Sequence, residues 1–242
     1  MLADSRTWGL AAVQRRSTTD HVLTELRSAI VSGRIGPGQP LRETALAQTL
    51  GTGRSAIREA IRHLVQEGLV EYRLNRGAFV RLLSVADADD VYLAREAIEV
   101  SAVRHAFDRD EPLDLGPLTS AFERIVAAAD ATPADQPAGT DLIASDLDFH
   151  REMVRLSGSP RLVRAHETLA AEAQMFMHHQ PVYSPVEYAA DHKVLLDAIV
   201  RRDPAAPDLV REHLSLSARL IGGEITRLAE APAGDVDKVT VP

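Results

Sequence analysis

Two short β-type runs, Leu69-Val70-Glu71-Tyr72 and Gly77-Ala78-Phe79-Val80-Arg81, constrain this chain most. They flank a polar turn, Arg73 to Arg76, and are the chain's sole strand signal. Three helical stretches precede them. In the first, Thr19 to Ser32, Val22, Leu23, Leu26, Ala29 and Ile30 recur at helical spacing, and Gly33 suits its end. Ile35 to Pro40 holds two prolines and two glycines and is read as a loop. A short helix from about Glu43 to Leu50 ends at Gly51, and a second runs from Arg54 to Glu67 with Ile57, Ala60, Ile61, Leu64 and Val65 on one side. Helix, helix, turn, helix, hairpin is the order of a winged helix-turn-helix.

Beyond residue 83 helical periods alone remain, about six of them. They start near Ser84, Leu115, Thr140, Pro160, Ser184 (Ser-Pro-Val-Glu, a capping box with proline first) and Pro207. The expected fold is therefore mainly α: a winged helix-turn-helix over 19–82, then an all-α antiparallel bundle over 83–229. A flexible arm, 1–18, and a tail, 230–242, would flank them. Without cysteine, disulfides and thiolate metal sites are excluded. No signal peptide or membrane span is legible, and a cytoplasmic location is expected.

The net charge of −8 hides an asymmetry. Residues 1–82 carry 12 arginines, no lysine and seven acids, a balance of +5. The other 15 basic residues face 28 acids in 83–242, a balance of −13. A basic module on an acidic body suits DNA binding by the first and another task for the second. In the third helix Arg54, Arg58 and Arg62 recur at i, i+4 and i+8, on one face beside the apolar stripe. A helix fits the major groove, where arginine can donate to guanine O6 and N7 together. The competing reading is a solvated arginine face paired with Glu59.

In the body, Asp146 and His150 share a stripe with Leu142, Phe149 and Met153. His192 lies with Tyr188, Leu195 and Ile199, and His213 with Leu209, Leu216 and Leu220. One carboxylate and three imidazoles thus project from apolar faces of three helices. Each histidine alone would be read as a hydrogen-bonded core residue; together they suit a divalent first-row ion, Zn²⁺ first and Ni²⁺ or Mn²⁺ as alternatives. Arg95 shares a face with Val91, Ile98 and Ala102, so it is either an inward clamp for a carboxylate ligand or a partner of Glu99. His105, His166, His178 and His179 carry no spacing argument and are left as surface or core residues.

Leu26-Arg27-Ser28-Ala29-Ile30, Gly36-Pro37-Gly38, Leu41-Arg42-Glu43, Ile57-Arg58-Glu59-Ala60-Ile61 and Glu67-Gly68-Leu69-Val70 resemble the DNA-binding domain of GntR-type regulators. Asp146-Leu147-Asp148-Phe149-His150, Asp191-His192-Lys193-Val194-Leu195-Leu196 and Glu212-His213-Leu214 resemble the FCD effector domain of the FadR-like branch. The resemblance implies DNA contacts from Arg54, Ser55 and Arg58, with Arg62 nearby on the same face, and a wing glycine, Gly77, entering the minor groove beside Arg76. It implies a metal held by Asp146, His150, His192 and His213, with a small organic acid bound at or near it. The expected function is a homodimeric transcription repressor on a palindromic operator, responsive to that acid. A metal-dependent hydrolase or lyase is the competing class, but no His-Glu-x-x-His spacing supports it.

Overall fold

The computed structural model describes residues 18–133, 139–179 and 184–230. The expected arm over 1–18 and tail over 230–242 lie outside the described residues except at Thr18, which opens the first helix, and Glu230, which closes the last.

Three helices and a hairpin form first: α1 (Thr18–Val31), α2 (Glu43–Thr49), α3 (Arg54–Gln66), β1 (Val70–Arg73) and β2 (Gly77–Val80). Ile57, Ala60, Ile61 and Leu64 bury one face of α3 against Val22, Leu26 and Ile30 of α1, leaving its arginines on the opposite face. The hairpin is antiparallel, pairing Val70 with Val80 and Arg73 with Gly77. Its turn needs left-handed backbone, supplied by Asn75 at φ 56° and Gly77 at φ 92°.

The segment expected as a plain loop does more. Gly38 N–H donates to the Val80 carbonyl at 2.9 Å and Leu41 N–H to that of Ala78 at 2.8 Å, while Val80 N–H donates to Gln39 at 2.9 Å. Pro40 therefore lies as a bridge beside Phe79, a third edge to the wing. Proline is tolerated there because an edge leaves its missing N–H without a ladder partner to lose.

Six helices follow: α4 (Val85–Asp108), α5 (Gly116–Ala131), α6 (Thr140–Arg155), α7 (Pro160–His179), α8 (Pro185–Val200) and α9 (Ala206–Glu230). Ser84 caps α4 by accepting from Asp87 N–H at 3.1 Å. Ser184 and Glu187 form the full capping box of α8, with Pro185 at the first helical position. The helices pack as a bundle, α4 along α9 and α5 against α6 and α8, around Leu118, Ile125, Leu142, Phe149, Met153 and Phe176. No described helix is long and apolar enough to cross a membrane.

Helix α7 belongs to both cores. Its Ala173, Phe176 and Met177 enter the bundle, while Met175 is buried in the winged-helix core with Ala171 packed beside it.

Candidate functional site

Two concave surfaces collect the candidate residues. The first lies between α2, α3 and the wing, with Arg42, Arg54, Arg58, Tyr72, Arg76 and Gly77 among its walls. Arg58 donates through Nε and Nη2 to the two carboxylate oxygens of Glu43 at 3.0 and 2.8 Å. That pairing draws the Glu43 carboxyl below its usual range and holds the Arg58 fork extended toward the cleft. Arg54 approaches the same carboxylate at 3.7 Å. Ser55 is exposed on the first turn of α3. Arg62 is also exposed but lies outside the cleft wall, paired with Glu59 at 2.9 Å. In the wing, Arg73 and Arg76 lie 4.5 and 5.7 Å from the centre of the Phe79 ring. The Glu43 pairing occupies the Nε–Nη2 edge of Arg58, so guanine or phosphate oxygens would meet this guanidinium by displacing the carboxylate or through Nη1.

The second surface is a tight cavity of about 20 Å³ inside the bundle, lined by Arg95, Asp146, His150, His192 and His213 among others. Their positions follow from the apolar stripes that carry them: α4 brings Arg95 and Glu99, α6 Asp146 and His150, α8 His192, α9 His213. One nitrogen from each of His150, His192 and His213 lies within 4.8 Å of the others. The second ring nitrogen of each is occupied. His150 Nδ1 lies 2.6 Å from Glu99 Oε2, His213 Nδ1 2.9 Å from Asp191 Oδ2, and His192 Nδ1 2.7 Å from the Tyr188 carbonyl oxygen. Three acceptors thus take the Nδ1 protons and leave three Nε2 lone pairs turned inward.

Those lone pairs meet one another and a carboxylate. His150 Nε2 and His213 Nε2 are 3.2 Å apart. His192 Nε2 approaches Asp146 Oδ1 at 2.9 Å as an ion pair, though this buried nitrogen makes no well-aligned hydrogen bond. Burial pushes the His150 imidazole down to about 4, so that ring is neutral. Burial opposes charge on Asp146 as well, but His192 and its neighbours hold the carboxyl well below its usual range. Burial lowers the His192 pKa and the Asp146 carboxylate raises it, with a net upward balance. An acceptor-rich pocket of this kind calls for a cation, either a proton or a metal ion.

Beside it sits a buried ionic hub that the sequence reading left largely unseen. Glu99 is fully buried and accepts from Arg95 Nε at 3.0 Å, His150 Nδ1 at 2.6 Å and His166 Nε2 at 2.9 Å. Arg95 pairs with Glu99, and its Nη2 is buried with no hydrogen-bond partner in a residue that lines the cavity. The signals for this hub were present. Glu99 stands four residues beyond Arg95 on the buried face of α4, and His166 shares a stripe with Leu169, Ala173 and Phe176.

Sequence comparison accounts for both halves. The model for "Bacterial regulatory proteins, gntR family" matches residues 18–80, and that for "FCD domain" matches 90–216, more than half of the chain. The chain belongs to the GntR family. It is accordingly a DNA-binding transcription regulator rather than an enzyme. Among similar proteins is the "Probable D-xylose utilization operon transcriptional repressor" of Paenarthrobacter nicotinovorans, 30% identical over 84% of this chain and 89% of that one. The HTH-type transcriptional repressor RspR of Escherichia coli K12 is 26% identical over 78% of this chain and 82% of its own. A GntR-type regulator of known structure from Rhodococcus sp. RHA1 aligns with a TM-score of 0.73 and 26% identity, covering 85% of this chain and 97% of that one.

Proposed function

We propose that this GntR regulator is a homodimeric repressor whose grip on a palindromic operator is changed by a small organic acid bound at a divalent metal. Residues 19–82 form the DNA-binding unit, and 83–229 the effector and dimerisation unit. Arg54, Ser55, Arg58 and Arg62 on α3 meet the major groove, while Arg76 and Gly77 carry the wing to the minor groove. Asp146, His150, His192 and His213 hold the metal, Zn²⁺ first and Ni²⁺ or Mn²⁺ as alternatives. When bound, the metal supplies a positive charge and an open position for an acid's oxygen. Arg95 meets the acid's other oxygen through the unpaired Nη2.

One observation carries the reading: three imidazole Nε2 atoms converge, each with its Nδ1 held by an acceptor, next to a buried guanidinium nitrogen that lacks a partner. That donor set fits the group, since metal-binding histidines usually direct their second nitrogen to such acceptors. The names of the relatives, two of them repressors, support the sign.

The test is elemental analysis of the natively purified protein followed by calorimetric titration of a carboxylic-acid panel with and without EDTA. About one equivalent of metal per chain, and acid binding that EDTA removes, is the expected result. Less than a tenth of an equivalent, with acid binding that EDTA leaves intact, overturns the metal. A gel shift on duplexes selected from a random pool, repeated with the bound acid, tests the regulatory step.

A further inference from the structure

Helix α7 lies between the two candidate sites and touches machinery at both ends of its span. Toward its start, His166 donates to Glu99, the carboxylate that also holds Arg95 and His150. Two turns later the helix meets the winged helix. Among the described elements, α1 against α7 is the most extensive packing between the two halves. Met175 is 1% exposed and sits in the core of Ile30, Ile61 and Leu69. Glu172 reaches Arg81, just after β2, at 3.4 Å. It also lies directly under Gly68, where a Cβ would come within 2.4 Å of the Glu172 carboxyl carbon. Gly68, at φ 73°, makes the turn from α3 into β1.

We infer that α7 is the lever that carries the state of the histidine cavity to the recognition helix and wing, with the His166–Glu99 contact as its input and Met175 with Glu172 as its output. This rests on the reading that the cavity takes a metal and an acid. An acid drawing on Arg95 changes the load on Glu99, and Glu99 is bonded to α7 through one imidazole nitrogen. A rigid helix transmits a shift or rotation along its length. At its far part, a tightly packed methionine and the Glu172–Arg81 ion pair leave the winged helix little freedom to stay behind. The other nitrogen of His166, Nδ1, is buried without a hydrogen-bond partner, so among the described residues this ring's hydrogen bond runs to Glu99 alone.

Hydrogen–deuterium exchange of the full chain reads this coupling at the wing, with Zn²⁺ alone as the probe. Zn²⁺ should change exchange of the Leu69–Val80 amides by about fivefold or more, the low end of ordinary coupling. Met175→Ala and Glu172→Gln should take up Zn²⁺ with affinity within about threefold of the parent and lose most of that wing response. At the input, His166→Leu should lose the response and His166→Gln, whose amide nitrogen can still donate to Glu99, should restore it. A ligand-free arm runs in EDTA. There Arg95→Ala, or Arg95→Lys where alanine does not fold, should alter wing exchange in the parent but not in Met175→Ala. A parent that takes up no Zn²⁺ ends the metal reading and leaves the EDTA arm to decide the coupling. Zn²⁺ uptake with an unchanged wing, or a wing response that survives Met175→Ala and Glu172→Gln, overturns the lever while the metal reading stands.

Discussion

Glu99→Gln is the sharpest single perturbation of the bundle. The carboxylate is fully buried and accepts from three donors, Arg95 Nε, His150 Nδ1 and His166 Nε2. Glutamine keeps the shape but offers one acceptor oxygen and one NH₂ group. At least one donor then faces another donor, and the Arg95 charge loses its nearest counter-ion. Breaking a buried pair from one side costs about 3–5 kcal/mol. For a chain of this size each kcal/mol moves the melting temperature by roughly 2–4 °C, so a fall of about 10 °C is expected.

The pH dependence has a definite sign. Burial alone would raise the Glu99 carboxyl, but His150, Arg95 and His166 hold it well below its ordinary value. A carboxyl depressed on folding contributes stability that is present above the unfolded pKa, near ~4.3, and is lost as pH falls through the folded value. The gap between parent and variant should therefore be constant from about pH 8 to about pH 5 and close only in stronger acid. Differential scanning calorimetry in EDTA at several pH values measures it. A variant melting within about 2 °C of the parent at neutral pH, against the several-fold larger shift above, would refute the reasoning. So would a gap that is already closing near pH 6, because Glu99 would then not be the ionised hub described.

Other expectations are independent of that one. In metal-free protein, His150 is neutral when folded, with its pKa at about 4. Unfolding stability should fall by on the order of 3 kcal/mol as pH drops from about 6.5 to about 4, measured by urea titration in EDTA, and an unchanged midpoint would contradict the burial of this ring. His192→Ala combined with His213→Ala should abolish stabilisation by Zn²⁺, which for the parent at a hundredfold excess over Kd is about 2.7 kcal/mol; equal thermal shifts in both proteins would rule the pair out as ligands. Arg58→Ala should weaken binding to a selected duplex at least about tenfold while leaving the melting curve in place, and an unchanged gel shift would remove α3 from the groove. Gly77→Ala places a Cβ at φ 92°, so the wing turn is strained; DNA affinity should drop with little change in the bundle.

How much could be read in advance depended on whether a feature is written along one helix or between two. The winged helix was legible because apolar spacing, Gly33, Gly51 and the two short runs punctuate it within 65 residues or so of continuous chain. Its third edge was not, since Gly38, Gln39 and Leu41 join the wing through backbone hydrogen bonds that leave no side-chain pattern to read. The three cavity histidines stood out because each imidazole interrupts an apolar stripe. By the same test His166 and Glu99 interrupt theirs, yet a lone histidine and an Arg-x-x-x-Glu pair each have an ordinary local explanation. What distinguishes them is their meeting, 67 residues apart, at a 2.9 Å bond.

Met175 shows the opposite difficulty. Any reading would bury it, but its partners belong to the other half of the protein, and only the docking of α1 on α7 assigns it to that core. A more productive rule follows for helical bundles of this type. Polar residues on core-facing stripes should be pooled across all helices before any is dismissed, because a buried charge is tolerated only with partners, and those partners must lie on other stripes. Applied here, the pool would have contained Arg95, Glu99, Asp146, His150, His166 and His192, and these six are all buried.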